Sequence, residues 1–515
     1  MEKRETALRK NQRCAEVYSD TGREYVLPDY LGEIRKILSV GAEIRPAAKY
    51  SAGQSTEASG IVVYDVVYTD ADGALSAASF TSDYDLVLAH QSEDADSLHL
   101  DSRIVSFSVR PAGPRKLSAK ATVAAAETLS YHEDVYPRGT AFSNGHEPEV
   151  LEKEIRTFLA TESENVEREL AECIVRLDGA TQDEVSVIFS HAEAECESVS
   201  VTDGEAAVKG CVTVYAIINN EEDTPYTVSH KIPFSENIPY PDTSEGAATG
   251  LVSVSSLSCA VSADDEGCEV VANIILDIAV RCLGNESATV ITDAYLCDSD
   301  TENTYTDFSY TELVFARRDK IAHTAKISRS DEALIGLDEP LILFGTARVG
   351  CTPSENELSV SGTVKYTGVA TAVSESGERS YMPLKLEVPL DETLALSTPL
   401  SDSQKIEVRA SVIKPTVSFD PEWIYISSTI DVSAVALEDK KVTVLESSEA
   451  KDGPLEERGA TVTVYYPEPT DTLFSVAKAH RTKVLKLARD NALTESVVAG
   501  GGGGALAGVK RLIIY

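Results

Sequence analysis

The chain has 515 residues, of which 43% are hydrophobic and 25% charged, and its 46 Lys and Arg against 84 Asp and Glu give a formal net charge of −38. The length suggests about three or four domains rather than one core, and the composition is that of a folded soluble chain, not of a disordered tail. So acidic a surface repels nucleic acid and anionic lipid; it suits a basic partner, a neutral one such as a glycan, or a purely solvated role.

The N-terminus, Met1 to Asn11, is charged throughout and lacks an apolar h-region, so no secretory signal is expected. No stretch reaches the ~18–20 apolar residues of a membrane helix. The nine cysteines are odd in number, contain no CxxC pair and fall in apolar or alternating segments. That favours small core residues in a reducing cytoplasm over a disulfide scaffold.

After an N-terminal arm (1–23), Pro28 suits a first helical turn, and Tyr30, Leu31, Ile34, Ile37 and Leu38 recur at helical spacing. A short amphipathic helix over 27–38 is expected, packed on a first β-domain (24–135). Residues 136–180 are expected to be a helical linker, because Leu151, Ile155, Phe158, Leu159, Val166, Leu170, Cys173, Ile174 and Leu177 follow helical spacing. A second β-domain (181–300), a mixed linker (301–335) and a third β-domain (336–450) complete the body. Asp72-Gly73, Asp203-Gly204 and Ser376-Gly377 read as turns between strands.

The β-tracts repeat. Gly60 to Tyr64 resembles Gly210 to Tyr215 and Gly362 to Tyr366. The tyrosines are 151 and 151 residues apart, the glycines 150 and 152, so two registers one residue apart compete. A one-residue slip would turn every side chain to the other face. A second segment recurs as Val270–Val280, Trp423–Leu437 and, more weakly, Lys116–Val123. The period is domain-sized, so the fold class expected is mainly β: three tandem antiparallel domains, sandwich-like or partly closed, then a small C-terminal β-α-α-β unit (451–515).

In that last unit Thr461 to Tyr466 alternates like a strand, Thr470 or Asp471 is placed to cap a helix carrying Leu473, Val476, Ala477 and His480, Lys483–Asn491 reads as a second helix, and Val509–Tyr515 as a strand. The segments Asp471–Ala477, Asn491–Leu493 and Gly508–Ile514 resemble the LysM domain. The resemblance implies a shallow groove for N-acetylglucosamine glycans, with Thr470, Asp471, Thr472 and Leu473 on one side and Asn491, Ala492 and Leu493 on the other. Thr470 stands where the family has glycine, Pro467 and Pro469 stiffen the approach, and Gly500–Gly504 extends the loop before the last strand. A protein-contact or capping use of the module therefore stays open beside glycan binding.

Tandem β-domains, the Leu27–Leu38 segment and one terminal LysM together resemble the SPOCS-plus-LysM proteins of endospore-forming clostridia. That resemblance implies a non-catalytic scaffold of the spore coat, working in the mother-cell cytoplasm at the forespore surface. The implied partners are the cytoskeletal ATPase of the coat basement layer and other coat proteins, with peptidoglycan as a further one. The alternative is a peptidoglycan-binding cell-wall protein.

No motif calls for an enzyme, a cofactor or a metal. GxxxxGK[ST], GxGxxG and GxSxG are missing from the sequence. His191, Glu193 and Glu195 alternate along one strand and share a face, which is either a metal site or, lacking a fourth ligand, a solvated strand. Asp70, Asp72 and Gly73 mimic the start of a calcium loop but read better as a hairpin turn. Trp423, the single tryptophan, is expected in a core.

Overall fold

In the computed structural model most of the chain is antiparallel strand. Residues 7–45, 48–90, 96–143, 145–202, 204–219, 224–240, 246–263, 267–330, 334–354, 356–373, 379–396, 399–401, 403–451, 462–493, 503–504, 506 and 509–515 are described.

The first unit comprises β1 (Ala7–Arg13), β2 (Val17–Val26), β3 (Ile34–Ile44), β4 (Ala48–Ala52), β5 (Ser55–Asp70), β6 (Leu75–Ala89), β7 (Asp96–Gly113) and β8 (Lys116–Asp134). The second comprises β9 (Glu149–Glu162), β10 (Val166–Asp178), β11 (Ser186–Thr202), β12 (Gly204–Asn219), β13 (Tyr226–Tyr240), β14 (Gly246–Ala263) and β15 (Gly267–Tyr295). The third comprises β16 (Asp300–Ser328), β17 (Leu337–Pro353), β18 (Glu357–Val373), β19 (Arg379–Ala395), β20 (Gln404–Phe419) and β21 (Trp423–Lys451). Each unit repeats one plan. A meander (β3-β5-β6, β11-β12-β13, β17-β18-β19) faces a second sheet whose central strand is β8, β15 or β21. The repeated segments of the sequence are thus the central strands of the two sheets. Their apolar faces enclose one core per unit.

The strand register settles the slip in favour of the glycines. Gly60 lies opposite Tyr84, Gly210 opposite Phe234 and Gly362 opposite Leu390. Tyr64 and Tyr366 stand four residues past their glycines and are fully buried, whereas the residue at that place in unit two is Val214. Tyr215 is on the opposite face, half-buried. The Tyr366 hydroxyl lies 2.9 Å from His323 Nδ1 and 2.7 Å from Ser428 Oγ, both buried. Tyr366→Phe strips both of this partner, and is expected to cost about 1–3 kcal/mol in urea unfolding.

Each meander carries a bulge at the same place: Leu38, Ile188 and Leu341 are skipped in the pairing of their strands. Seven residues past each glycine come Val67, Ile217 and Val369, all essentially buried. These meet Leu38, Phe189, Leu341 and Ile342 in a shared central cluster. The three meanders therefore close into a ring around an apolar centre, and each unit touches both others.

Three expected helices or linkers are strands instead. Residues 28–33 form turns tied by Arg115, whose guanidinium donates to Leu31 O (2.9 Å) and Pro28 O (2.7 Å), and Ile34 opens β3. Tyr30 is 85% exposed. Bulges near Arg35 and at Leu38 stretch the strand's period of two towards three, which mimics helical spacing. The expected helical linker 136–180 is mostly β9 and β10, and the expected linker 301–335 is mostly β16. Good helix formers pair there with β15 and β21 across roughly a hundred residues or more, and long-range pairing overrides local propensity. In β9, Ile155 joins one cluster and the nearby Phe158 and Ala160 another, so burial follows neither period. The arm 1–23 likewise supplies β1 and β2 of the first unit.

The chain ends in the expected β-α-α-β order: β22 (Thr463–Tyr465), α1 (Leu473–Ala479), α2 (Val484–Asp490) and β23 (Leu512–Ile514), with β22 and β23 antiparallel. Among the described residues no helix is long and apolar enough to cross a membrane. The turns expected at Ser376-Gly377 and at Asp203, and most of Gly500–Gly504, lie outside the described residues.

Candidate functional site

The terminal module is not a bead on a string. Residues 462–515 hold seven Lys and Arg against four Asp and Glu, a net +3 in a chain of −38. This local excess seats the module on the acidic tip of the β9–β15 ribbon. Lys478 Nζ pairs with Asp293 (2.6 Å), Arg481 with Asp300 (2.5 Å) and Lys483 with Glu147 (3.1 Å). The N–H of Val484 at the start of α2 donates to Glu149 (3.0 Å). Tyr295 provides the apolar part of the contact. It is buried, its ring stands edge-on to Phe474 at 5.2 Å, and its hydroxyl donates to Thr482 O (2.7 Å). Burial pushes that phenol far above its ordinary value.

The seven groove candidates divide. Leu473 is wholly buried in the module's core. Thr472, not Thr470 or Asp471, is the N-cap of α1, in a reciprocal capping box with Ser475. The Asp471 carboxylate instead accepts from Tyr465 Oη and Glu468 N, both at 2.7 Å, which folds the loop before the helix. Asn491 clamps β23: its amide donates to Ile513 O (2.8 Å) and its oxygen accepts from Ile513 N (2.6 Å). Leu493 leans on the core. Thr470 and Ala492 alone of the seven are exposed, Ala492 at the left-handed φ of 50°. The two loops of the expected groove do meet, through Leu506 N donating to Asp471 O (3.2 Å).

A second surface was hidden in the alternation of 461–466. Thr463 and Tyr465 are half-buried, while Val462, Val464 and Tyr466 face out, 49%, 50% and 70% exposed, alongside Tyr515. The outer face of this two-stranded sheet is apolar, the reverse of the usual order. Its period of two was legible; which face pointed out was not.

His191, Glu193 and Glu195 do share a face of β11, but it is neither a metal site nor solvated: it is the seam between units two and three. Glu195, 8% exposed, receives Lys320 and Lys414 at 2.5 Å each, and Glu193 accepts from Lys414 N (3.1 Å). Among the described residues, Glu195, Glu197 and Cys211 lie close enough to share an ion, but lysines occupy the carboxylates: Lys231 takes Glu197 at 2.8 Å. The His191 ring meets Phe344 edge-on at 5.0 Å, and burial holds its pKa down at about 4. Below its ordinary 6.5 the unfolded chain takes up a proton that the folded chain refuses. The stability His191 supports is thus present above pH ~6.5 and is lost as the pH falls towards 4. Urea titrations should slope by up to about 1.4 kcal/mol per pH unit in that window, and less in His191→Gln.

Asp70 Oδ1 accepts from Asp72 N and Ala74 N (3.1 and 2.9 Å) and closes the β5–β6 hairpin, with Gly73 at φ 89°. Trp423 is only half-buried at the start of β21, beneath the Lys326 ammonium at 4.1 Å from the ring centre, and not in a core. None of the nine cysteines forms a disulfide with another, and four of them are buried.

No family model matches this chain, and neither a curated protein nor a solved structure matches it.

Proposed function

We propose that the chain is a non-catalytic scaffold of spore-coat assembly, of the SPOCS-plus-LysM kind, working in the mother-cell cytoplasm at the forespore surface. The observation that carries this reading is the way the terminal module is held. Its basic turn is locked to Asp293, Asp300 and Glu147, while the apolar face Val462, Val464, Tyr466 and Tyr515 is turned to solvent. An exposed apolar strand face rimmed by Lys510 and Arg511 is a surface for protein contact. In this reading it takes the coat basement-layer ATPase or another coat protein.

Peptidoglycan binding is the second reading, favoured by the exposed Thr470 and the adjoining loops. The two separate cleanly. Co-precipitation with the purified ATPase should be lost in Val464→Asp/Tyr466→Asp and kept in Thr470→Trp. Sedimentation with purified peptidoglycan that is lost in Thr470→Trp, with ATPase capture absent, would replace the scaffold reading by the wall-binding one. Asp471 and Asn491 are poor probes, since both hold the module's fold.

A further inference from the structure

The single tryptophan of the chain stands on an open sheet face of unit three. β21 begins Trp423-Ile424-Tyr425-Ile426-Ser427, and the strand period of two sends Ile424 and Ile426 into the core and the other three outward. Trp423 is half-buried, Tyr425 is 40% exposed and Ser427 is exposed. Residues in register share a face. Thr324, Lys326 and Ser328 of β16 therefore continue the surface on one side, and Thr416 and Ser418 of β20 on the other. All five are exposed. The result is a three-stranded face with two aromatic rings set among small hydroxyl side chains.

Both ring-bearing residues are fixed by one carboxylate. Asp420 accepts from the N–H of Trp423 (2.6 Å) and from Tyr425 Oη (3.0 Å). Over the rings lies the Lys326 ammonium, 4.1 Å from the centre of Trp423 and 5.4 Å from that of Tyr425. An exposed cation–π contact of this kind is weak, and the flexible stem lets the lysine swing aside and donate to a ligand instead. The face lies at the far end of the β16–β21 pair from the terminal module. Ser328 pairs with Trp423 here, whereas Asp300, which pairs with Lys451, holds Arg481 of the module.

The charges beside the rings select the occupant. A cationic partner would have to displace a like charge, and an anionic one would meet Asp420 and Glu422 in a chain of −38. A neutral sugar meets neither obstacle. The C–H face of a β-linked pyranose is flat and weakly positive, so it packs on the negative face of an aromatic ring, while its rim hydroxyls exchange hydrogen bonds with serines and threonines. We propose that this face binds an unbranched neutral glycan of β-1,4-linked pyranoses, laid across Trp423 and Tyr425. Side chains two apart on a strand are separated by roughly 7 Å, so neighbouring sugars of one chain can take the two rings. The inference rests on neither reading of the terminal module.

The test titrates the full chain with the β-1,4-linked hexamer of glucose and follows tryptophan emission, which reports on this face alone because Trp423 is the only tryptophan. A saturable change is expected, at least tenfold weaker for the α-1,4-linked hexamer, whose chain coils and does not lie flat. Calorimetry should find binding at least tenfold weaker in Trp423→Ala and in Tyr425→Ala, and at least as tight as before in Lys326→Ala, with unchanged melting curves showing each variant folded. Should Trp423→Ala fail to fold, Tyr425→Ala, at an exposed side chain, decides. Tyr466→Asp, on the module, should leave the response unchanged. No change in emission up to about 5 mM sugar, an equal response to the α-linked hexamer, full binding by Tyr425→Ala or a tenfold loss in Lys326→Ala would each overturn the proposal. So would heat of binding without a change in emission, which would put the sugar on the module instead.

Discussion

Gly210→Val unfolds the second unit. A Cβ at Gly210 would stand 2.1 Å from Glu195 O and 2.6 Å from the Phe234 ring. The ring could turn, but the carbonyl belongs to β11 and is fixed by pairing on both sides of Cys196. Moving it would also shift Glu195, which holds Lys320 and Lys414 at the seam with unit three. Overpacking a core costs about 1–3 kcal/mol where side chains can yield; with backbone in the way the cost should reach or exceed the top of that range. Hydrogen exchange should report lost protection across β12 and β13 first, with the seam following. Gly350→Val is the control: nothing lies within 4 Å of that Cβ, and it should change stability by less than about 0.5 kcal/mol.

Tyr295→Ala releases the terminal module from the ribbon. Removing a buried aromatic costs about 3–5 kcal/mol, and here much of it is charged to docking, since Tyr295 touches Phe474 and Thr482 of the module. The salt bridges at Asp293, Asp300 and Glu147 remain but are partly exposed, and such pairs contribute little alone. Exchange of the α1 and α2 amides should quicken while the three β-units keep their protection. Tyr295→Phe, which loses the bond to Thr482 O and keeps the ring, should cost about 1 kcal/mol and leave the module docked.

The pattern of failures is informative. Helices were expected at 27–38 and within 136–180; turns leading into β3 stand in the first place, and β9 and β10 in the second. In the first, bulges change the apolar spacing from two to three. In the second, the two faces of β9 meet different clusters, and in β10 a bulge at Ile174 shifts the period of two. By contrast α1, capped by its own Thr472 and Ser475, and α2, packed beside it within the module, lie where expected. Of the seven groove residues, local spacing put the start of α1 near Thr470 and Asp471, but the cap is Thr472. Nor could spacing reveal that Asn491 is consumed by Ile513 of β23, twenty-two residues away.

What the amino-acid order determined by itself is whatever rests on neighbours in the chain: the three domain-length repeats with their glycines, the strand character of the paired central segments, and the terminal β-α-α-β unit. The tertiary structure alone decided what rests on distant partners. It chose the register that buries Tyr64 and Tyr366 but not Tyr215, closed the three meanders around Val67, Ile217 and Val369, and turned His191 and Glu195 into a seam. The physical reason is that an alternating strand has two faces of equal standing until a partner covers one of them, and here every partner lies in another sheet or another unit.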